Sequence, residues 1–281
     1  MRSAPGPLPP GGLAVLPVTG VGEVRPGDDL AAVLAEALVE APGGAAEGRT
    51  AGGAEGRSVG GEAGGEPGGA VGRRETVPWV ADGDVLVVTQ KVVSKAEGRI
   101  VAIDPDDPHA KRSLVESESV RVLRRRGDLL ITETRHGFVC ANAGVDLSNV
   151  EVGTAALLPV DPDRSARRIR EALGHRLGID LAVVISDTFG RAWRNGVTDV
   201  AIGIAGLAGV VDLRGTADAS GRVLEATEVC VADEIAAAAE LVMGKDRSVP
   251  AAVVRGVDPS WLRRGSVAAE IVRDPAGDLF R

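Results

Sequence analysis

The feature that most restricts the fold is a run of five apolar residues, LAVVI, at positions 181–185. Such a run is typical of a strand buried on both faces, so other elements must cover it on each side. Further strand patterns occur at residues 13–18, 85–88, 100–103 and 251–254, but strands and helices do not alternate strictly along the chain. The pattern therefore predicts an α+β fold, with mixed sheets and packed helices, rather than a doubly wound parallel sheet.

The remaining segments extend this prediction. Asp28 or Asp29 is placed to cap a helix, because an aspartate oxygen satisfies the free N–H groups at a helix start. Gly244 is placed to end another helix, because glycine readily adopts the backbone conformation found there. The other predicted strands are at 129–134, 137–140 and 155–160, and the strand at 85–88 is predicted to continue through 91–94. Helices are predicted at 28–41, 114–123 and 227–243, and a further helix is predicted to begin at 163 and end at 174 or 178.

Residues 42–74 differ sharply from the rest of the chain. They contain 13 of its 38 glycines, and their only branched aliphatic residues are Val59 and Val71. Such a segment cannot bury enough apolar surface to offset the entropy lost on ordering, so we predict a disordered insertion, with a docking segment as the alternative. The predicted organisation is a flexible N-terminus at 1–12, one module at 13–258 interrupted by the insertion, and a C-terminal tail at 259–281.

Charge and composition exclude several classes of protein. The chain carries 32 Lys and Arg against 40 Asp and Glu, a formal net charge of −8, which disfavours non-specific binding to nucleic acid. Aromatic residues make up 2%, too few for base-stacking surfaces. Two cysteines, Cys140 and Cys230, cannot form a disulfide framework, which favours a cytoplasmic protein with buried thiols. Residues 1–12 do not resemble a secretory signal, and no apolar run is long enough to span a membrane.

Two stretches carry carboxylates that suit a hard cation. The sequence ISDTFG at residues 185–190 places Asp187 and Thr188 directly after the buried run, where they supply a carboxylate and a neutral oxygen. The polar loop at 141–149 adds Asp146. Magnesium takes one or two protein carboxylates, which Asp146 and Asp187 could supply. The alternatives are that Asp187 caps a turn and that the loop is an Asx-rich turn.

Two other stretches carry cations that suit phosphate. Arg191 and Arg194 are three residues apart beside glycines, which makes a candidate anion cradle with Trp193 packed beneath it. Lys91 and Lys95 follow a predicted buried strand, and a lysine there can neutralise phosphate. The alternatives are a solvated basic turn for the arginines and an ordinary surface turn for the lysines.

These stretches together resemble one family, the coenzyme F420-0:L-glutamate ligases, also called F420 γ-glutamyl ligases. The similarity covers nearly all of residues 13–258 apart from the insertion, and several long motifs in the same order are far more specific than any one of them. The resembling motifs lie at residues 16–29, 83–99, 143–149, 186–199 and 253–256.

The resemblance implies an activity, a fold and partners. Members of the family attach L-glutamate to the lactyl carboxylate of coenzyme F420-0 with GTP, and repeated addition gives γ-linked glutamates. The economical route is an acyl phosphate, with release of GDP and phosphate. Divalent ions, Mg²⁺ or Mn²⁺, are implied at a pair of sites, with K⁺ as a further candidate. The resemblance also implies a family-specific fold assembled as an intertwined homodimer, here in a single-domain form without a nitroreductase-like domain.

Residue roles are implied by the motifs. Asp146 and Asp187 resemble ligands of one divalent ion, and Thr188 resembles a ligand of a second. The residues that resemble nucleotide contacts are Val21, Gly22, Glu23, Val24, Gln90, Lys95 and Asn149. The candidates for stabilising charge on a transferred phosphate are Lys95, Arg191 and Arg194.

Three positions depart from the family pattern. Gln90 stands where the family usually has Ser, and Gly22 stands where Pro is common. Lys245 stands where archaeal members often have Gln, so no role is assigned to it. No general base is evident. The alternatives to a ligase are a metal-dependent phosphatase or hydrolase that uses Asp146 and Asp187, and a non-catalytic partner that retains the nucleotide site.

We expect removal of residues 42–74 to leave the free energy of unfolding unchanged within about 0.5 kcal/mol, as for most surface changes. Urea denaturation of the full chain and of the deletion variant measures the difference. A loss of more than about 2 kcal/mol would show that the segment contributes to a core.

Overall fold

The structure is a computed structural model. The predicted insertion at 42–74 lies outside the described residues, as do most of the N-terminal segment 1–12 and the end of the helix predicted to reach residue 41. The described residues are residue 8 and residues 11–39, 78–107 and 109–279.

Strands and helices both contribute to the described part of the chain. The strands are β1 Ala14–Val18, β2 Val85–Thr89, β3 Ile100–Ala102, β4 Ser119–Arg126, β5 Leu129–Thr134, β6 Val139–Ala141, β7 Thr154–Ala156, β8 Ala182–Arg191, β9 Arg194–Ala205, β10 Val211–Asp212, β11 Glu228–Val229 and β12 Ala251–Arg255. The α-helices are α1 Leu30–Val39, α2 Gln90–Ala96, α3 Ala110–Ser117, α4 Pro162–Leu177, α5 Val231–Met243 and α6 Val267–Glu270. Short 3₁₀ helices lie at Asn142–Gly144, Pro259–Trp261 and Pro275–Gly277.

A five-stranded sheet forms the centre of the fold, in the order β1-β12-β2-β8-β9. β2 and β8 are parallel and pair in register from Val85 opposite Ala182 to Thr89 opposite Ser186. The other pairs in this sheet are antiparallel. Because parallel strands run toward the same edge of a sheet, the residues that follow Thr89 and Ser186 lie side by side.

The run at 181–185 is buried on both faces, as predicted. Val183, Val184 and Ile185 are consecutive on β8, and each is 0% exposed. α4 packs against β8 and β9, while α5 packs against β9, β12 and β1. This combination of a mixed sheet with packed helices confirms the α+β prediction. Across the described ranges, no helix has the length and apolar character needed to cross a membrane.

Smaller sheets lie between β2 and α4 in the chain. β4, β5 and β6 form a three-stranded antiparallel sheet, and β3 pairs with β7. Their apolar side chains form a separate core cluster with α3, and Leu130, Val145 and Leu157 belong to it. This cluster supports the loop between β6 and β7, which carries Asp146.

Local signals place the ends of two helices. Asp161 caps α4 by accepting a hydrogen bond from the backbone N–H of Arg164, and Pro162 occupies the first turn. Gly178 ends α4 with a φ of +69°, a conformation that glycine adopts without strain. Asp29 caps α1 in the same way. Asp29, one of the two caps predicted for α1, is therefore confirmed. The start predicted for α4 at residue 163 is confirmed within one residue, and of its two predicted stops, Gly174 and Gly178, the structure has Gly178.

Several predicted boundaries are wrong because long-range pairing overrides local pattern. The helix predicted at 114–123 ends at Ser117, since the residues that follow pair with β5 as strand β4. The strand extension predicted at 91–94 is wrong, since these residues lie in α2. The strand predicted to end near Ile185 continues to Arg191, because β9 pairs with its whole length.

Two further elements are shorter than predicted. The strand predicted at 155–160 is β7, which ends at Ala156. The helix predicted at 227–243 begins at Val231, because residues 228–229 pair with residues 211–212 in a two-stranded sheet.

Asp163 joins three parts of the fold at the start of α4. Its carboxylate is 6% exposed. One oxygen accepts hydrogen bonds from the backbone N–H groups of Ile204 and Val267, at 2.9 and 3.0 Å. The other accepts from the hydroxyl of Ser266 at 2.8 Å and from the backbone N–H of Ala268 at 3.2 Å. The segment predicted as a C-terminal tail therefore packs on the body of the protein through α6.

We expect Asp163→Asn to lower the free energy of unfolding by about 2–3 kcal/mol, because one acceptor oxygen becomes an NH₂ group that faces donors. Urea denaturation measures the loss. Glu36→Gln, on the exposed face of α1, is the matched control and should change stability by less than about 0.5 kcal/mol. Equal effects of the two changes would contradict the role of Asp163.

Candidate functional site

A cleft of about 1070 Å³ opens at the edge of the central sheet where β2 ends beside β8. This volume is near the upper end for ligand sites, so it suits a large ligand. The lining comes from the loop after β1, helix α2, the loop after β6, the β8–β9 pair and the end of α5. It includes all ten residues for which the resemblance implies a nucleotide or metal contact: Val21, Gly22, Glu23, Val24, Gln90, Lys95, Asp146, Asn149, Asp187 and Thr188.

The β8–β9 pair places two hydroxyls and two carboxylates in the cleft. Thr188 lies directly opposite Asp199 in the register, and its hydroxyl donates a hydrogen bond of 2.6 Å to Oδ1 of Asp199. Ser186 donates to Oδ2 of the same carboxylate at 3.1 Å, and Asp199 is 2% exposed. A register shift follows Ile185, and such bulges commonly re-aim side chains beside binding sites.

Asp146 is held in the cleft by its own backbone. Its N–H and C=O groups exchange hydrogen bonds with Ala156, at 3.0 and 2.8 Å, so the loop is pinned to the end of β7. Gly144 has a φ of +71°, and a Cβ there would lie 2.7 Å from the side chain of Leu158. Only glycine therefore allows this close approach in that backbone conformation.

Lys91 fixes the carboxylate of Asp146 from the opposite side. Its ammonium lies 2.8 Å from Oδ2 of Asp146 and donates to the backbone oxygen of Ser148 at 2.6 Å. The N–H of Ser148 in turn donates to Oδ1 of Asp146 at 2.7 Å. Asp146 therefore keeps one orientation before any ligand binds.

The cleft carries an excess of negative charge. Its lining includes six carboxylates and three lysines. Each lysine lies against a carboxylate: Lys91 against Asp146, Lys95 against Glu23 at 2.5 Å, and Lys245 against Asp199 at 3.0 Å. Among the described residues, two of these carboxylates, Asp187 and Asp246, make no ion pair, and Asp246 is exposed. Asp187 is therefore the unpaired carboxylate on the β8–β9 pair.

The two candidate metal ligands have pKa values shifted in opposite directions. Burial raises the pKa of Asp187 to about 7, and the nearby negative charges of Asp199 and Asp146 add to that rise. Burial also opposes ionisation of Asp146, but hydrogen bonds from Lys91 and Ser148 outweigh it and lower the pKa of Asp146. Asp146 is therefore ionised at neutral pH. Ionisation of Asp187 is unfavourable in the protein alone, and a bound cation would make it more favourable.

This arrangement fits one divalent ion. Asp146 and Asp187 supply two carboxylates at one wall of the cleft, which is the number that Mg²⁺ usually takes from a protein while water and phosphate complete its shell. No group of three or more His, Cys, Asp or Glu suited to a metal occurs in the described part of the chain. An ion held by these two carboxylates would need water or a ligand to complete its shell.

Gln90 uses its side chain inside the protein. It is 2% exposed, and its Nε2 donates to the hydroxyl of Ser94 at 2.6 Å and to the backbone oxygen of Leu157 at 2.9 Å. These bonds tie α2 to the chain that follows β7. The side chain of Gln90 thus positions the wall of the cleft.

Arg191 and Arg194 lie at the exposed tip of the β8–β9 hairpin, outside the residues that line the cleft. The guanidinium of Arg191 donates to the backbone oxygen of Asn195 at 3.1 Å. Trp193, predicted to pack beneath these arginines, is 84% exposed and lies in the turn with a φ of +59°.

Both cysteines are free thiols. Burial raises the pKa of Cys140 to about 12, and the negative charge of Asp187 adds to the rise. Burial, followed by the charge of Asp233, has the same effect on Cys230, which is half-buried rather than buried as predicted. Neither cysteine is therefore a nucleophile at neutral pH.

Sequence reasoning missed Asp199, Glu240 and Lys245 as cleft residues. Glu240 and Lys245 come from the end of α5, and their contact with β8 is visible only in the folded chain. The sequence does contain a pattern from which the position of Asp199 could be predicted. Two apolar stretches flank the turn-forming residues at 190–196, a pattern typical of a hairpin, and hairpin pairing sets Asp199 opposite Thr188.

The chain matches the sequence profile of the family described as F420-0:Gamma-glutamyl ligase over residues 73–256. It is 40% identical over 215 residues to the coenzyme F420:L-glutamate ligase of Methanothermobacter thermautotrophicus, covering 71% of this chain and 85% of that protein. Proteins of the same name from Methanopyrus kandleri and Methanocaldococcus jannaschii are 38% and 35% identical over 217 residues. These alignments cover 71% and 72% of this chain and 86% of each relative.

We expect Asp187→Asn and Asp146→Asn to change the stability of the metal-free protein in opposite directions. Because the pKa of Asp187 is raised in the folded protein, the folded protein keeps a proton on Asp187 between about pH 4 and 7, where the unfolded chain has released it. The free energy of unfolding therefore falls as the pH rises through this range. Asp187→Asn should therefore stabilise the protein by about 2–4 kcal/mol at pH 8, and by less than half of that at pH 5.

Asp146→Asn should instead cost roughly 1 kcal/mol at both pH values, because the lowered pKa of Asp146 gives stability that is lost only in more acidic solution. Urea denaturation in the presence of a chelator measures both effects. Destabilisation by both variants to the same extent would contradict the assigned charge distribution.

Proposed function

We propose that this chain joins L-glutamate to the lactyl carboxylate of coenzyme F420-0 and uses GTP to do so. The chain belongs to the F420-0:gamma-glutamyl ligase family and is a ligase. One observation carries the proposal: ten motif residues, spread from Val21 to Thr188, line a single cleft. A reaction between three substrates needs a site that holds them in contact, and a cleft built from separate segments provides it. The names of the three relatives, coenzyme F420:L-glutamate ligase in each case, support the choice of substrates.

The proposed chemistry begins with activation, because a carboxylate is a poor electrophile. An oxygen of the lactyl carboxylate attacks the γ-phosphorus of GTP, the bond to the bridging oxygen breaks, and GDP leaves. The amine of glutamate then attacks the carbonyl carbon of the acyl phosphate. The amide forms, phosphate leaves, and the amine loses a proton to solvent. The same steps on the γ-carboxylate of the attached glutamate would extend the chain.

The charges of the cleft support a need for cations in this reaction. GTP, glutamate and the phosphodiester substrate are all anionic, and the lining is itself negative. A divalent ion, Mg²⁺ or Mn²⁺, held by Asp146 and Asp187 would supply charge neutralisation at the phosphates. Lys91 and Lys95 lie in the lining and would donate hydrogen bonds to phosphate oxygens, as lysines commonly do.

We extend the proposal to a homodimer. The tip of the β8–β9 hairpin exposes apolar surface, since Trp193 is 84% and Val197 is 63% exposed. A second copy of the chain would cover this surface. Arg191 and Arg194 flank the tip, and we retain them as candidates for binding anionic substrate groups in the assembled protein.

Isotope labelling tests the order of steps. With ¹⁸O in the lactyl carboxylate, we expect one labelled oxygen in each phosphate released, because that oxygen attacks the γ-phosphorus and leaves with it. Stoichiometric release of phosphate should also require glutamate. Mass spectrometry of the phosphate and of the deazaflavin product measures both. Unlabelled phosphate, or release independent of glutamate, would show that water attacks GTP and that the enzyme is a phosphatase.

Two variants provide the matched comparison for this assay. Asp187→Asn should abolish product formation while the protein remains folded, since the amide keeps the volume of the side chain but not its charge. Glu36→Gln, on the exposed face of α1, should leave product formation unchanged.

A further inference from the structure

Lys245 stands at the point where the resemblance implies a second metal ion. It follows α5 directly after Gly244, which ends the helix with a φ of +65°. The ammonium of Lys245 donates hydrogen bonds to the hydroxyl oxygen of Thr188 and to Oδ1 of Asp199, the latter at 3.0 Å. It also lies 3.1 Å from Oε1 of Glu240. Three oxygens therefore already surround one positive charge.

The hydrogen-bond directions at Thr188 oppose a metal there. The hydroxyl of Thr188 donates its hydrogen to Asp199 and accepts from Lys245. Asp199 receives bonds from Ser186, Thr188 and Lys245 and is 2% exposed. A divalent ion bonded to Thr188 at about 2.1 Å would have to displace the ammonium, and two unscreened cations at such a distance repel strongly.

Asp187 offers the contrasting environment. It lies next to Thr188 on β8, lines the same cleft, and makes no ion pair among the described residues. Lys91 pairs with Asp146, but no ammonium lies against Asp187 among the described residues. The carboxylate of Asp187 is thus free to take a cation from solution, whereas Thr188 is in contact with a cation that the chain itself supplies.

We propose that the ammonium of Lys245 takes the place of a second divalent cation beside Thr188. The chain then binds one divalent ion, at Asp146 and Asp187, and presents Lys245 to a phosphate oxygen of the nucleotide. The side chain of Lys245 is 57% exposed, and Lys245 is part of the lining of the cleft. This inference rests on the proposed function for the identity of the ligand, but not for the number of metal ions.

Titration of the full chain with Mn²⁺ tests the proposal without turnover. Electron paramagnetic resonance counts free and bound Mn²⁺ at pH 7.5 in the absence of nucleotide. We expect one Mn²⁺ per chain in the natural protein and at least tenfold weaker binding in Asp187→Asn. We expect a second bound Mn²⁺ in Lys245→Gln, because Thr188, Asp199 and Glu240 then lose their internal cation.

Two further variants complete the design. Lys245→Arg keeps the positive charge and should bind one Mn²⁺, which preserves the test if Lys245→Gln fails to fold. Lys111→Gln is the matched control in α3, which does not line the cleft, and should also bind one Mn²⁺. The proposal would be overturned by two bound Mn²⁺ in the natural protein or in Lys245→Arg. It would also be overturned if folded Lys245→Gln bound no second Mn²⁺.

The Mn²⁺ titration and the assay of amide formation can fail independently of each other. A protein that shows one Mn²⁺ and gains a second in Lys245→Gln, but forms no amide product, would refute the ligase reaction and leave the internal cation in place. A protein that forms the product and binds two Mn²⁺ would refute only the role of Lys245.

Discussion

The parallel pairing of β2 with β8 is the constraint on which the rest of the structure depends. Parallel strands cannot be joined by a tight turn, so the chain must travel from Thr89 back to Ala182 by a long connection. That connection carries α2, the three-stranded sheet and α4. It returns the chain so that Lys91, Asp146 and Asp187 meet at one edge of the sheet, although they are far apart in sequence.

The charges at that edge differ from one carboxylate to the next. Burial, and after it the negative charges of Asp199 and Asp146, opposes ionisation of Asp187 in the protein alone, a cost in stability of the kind that binding sites often carry. Asp199, on the neighbouring strand, is satisfied by two hydroxyls and an ammonium. Two carboxylates on adjacent strands thus differ in environment, because only Asp199 is paired with an ammonium of the chain itself.

The elements that the sequence predicts correctly are those whose conformation depends on residues close by in the chain. The run at 181–185 indicates a buried strand because burial on both faces requires an unbroken apolar pattern. Asp29 and Gly178 mark helix ends through contacts within a few residues. By contrast, the predictions for residues 118–123 and 91–94 are wrong, because their conformation depends on parts of the chain beyond their own pattern.

The sequence by itself determined the chemical groups of the site, because Asp146, Asp187 and Thr188 occur in motifs whose residue types suit a cation and phosphate. Only the tertiary structure decided how those groups are paired. The contact of Lys245 with Thr188 and Asp199 depends on α5 packing beside β9, and no local pattern encodes that distance. Electrostatic energies depend on separations and burial, which exist only once remote segments are packed together.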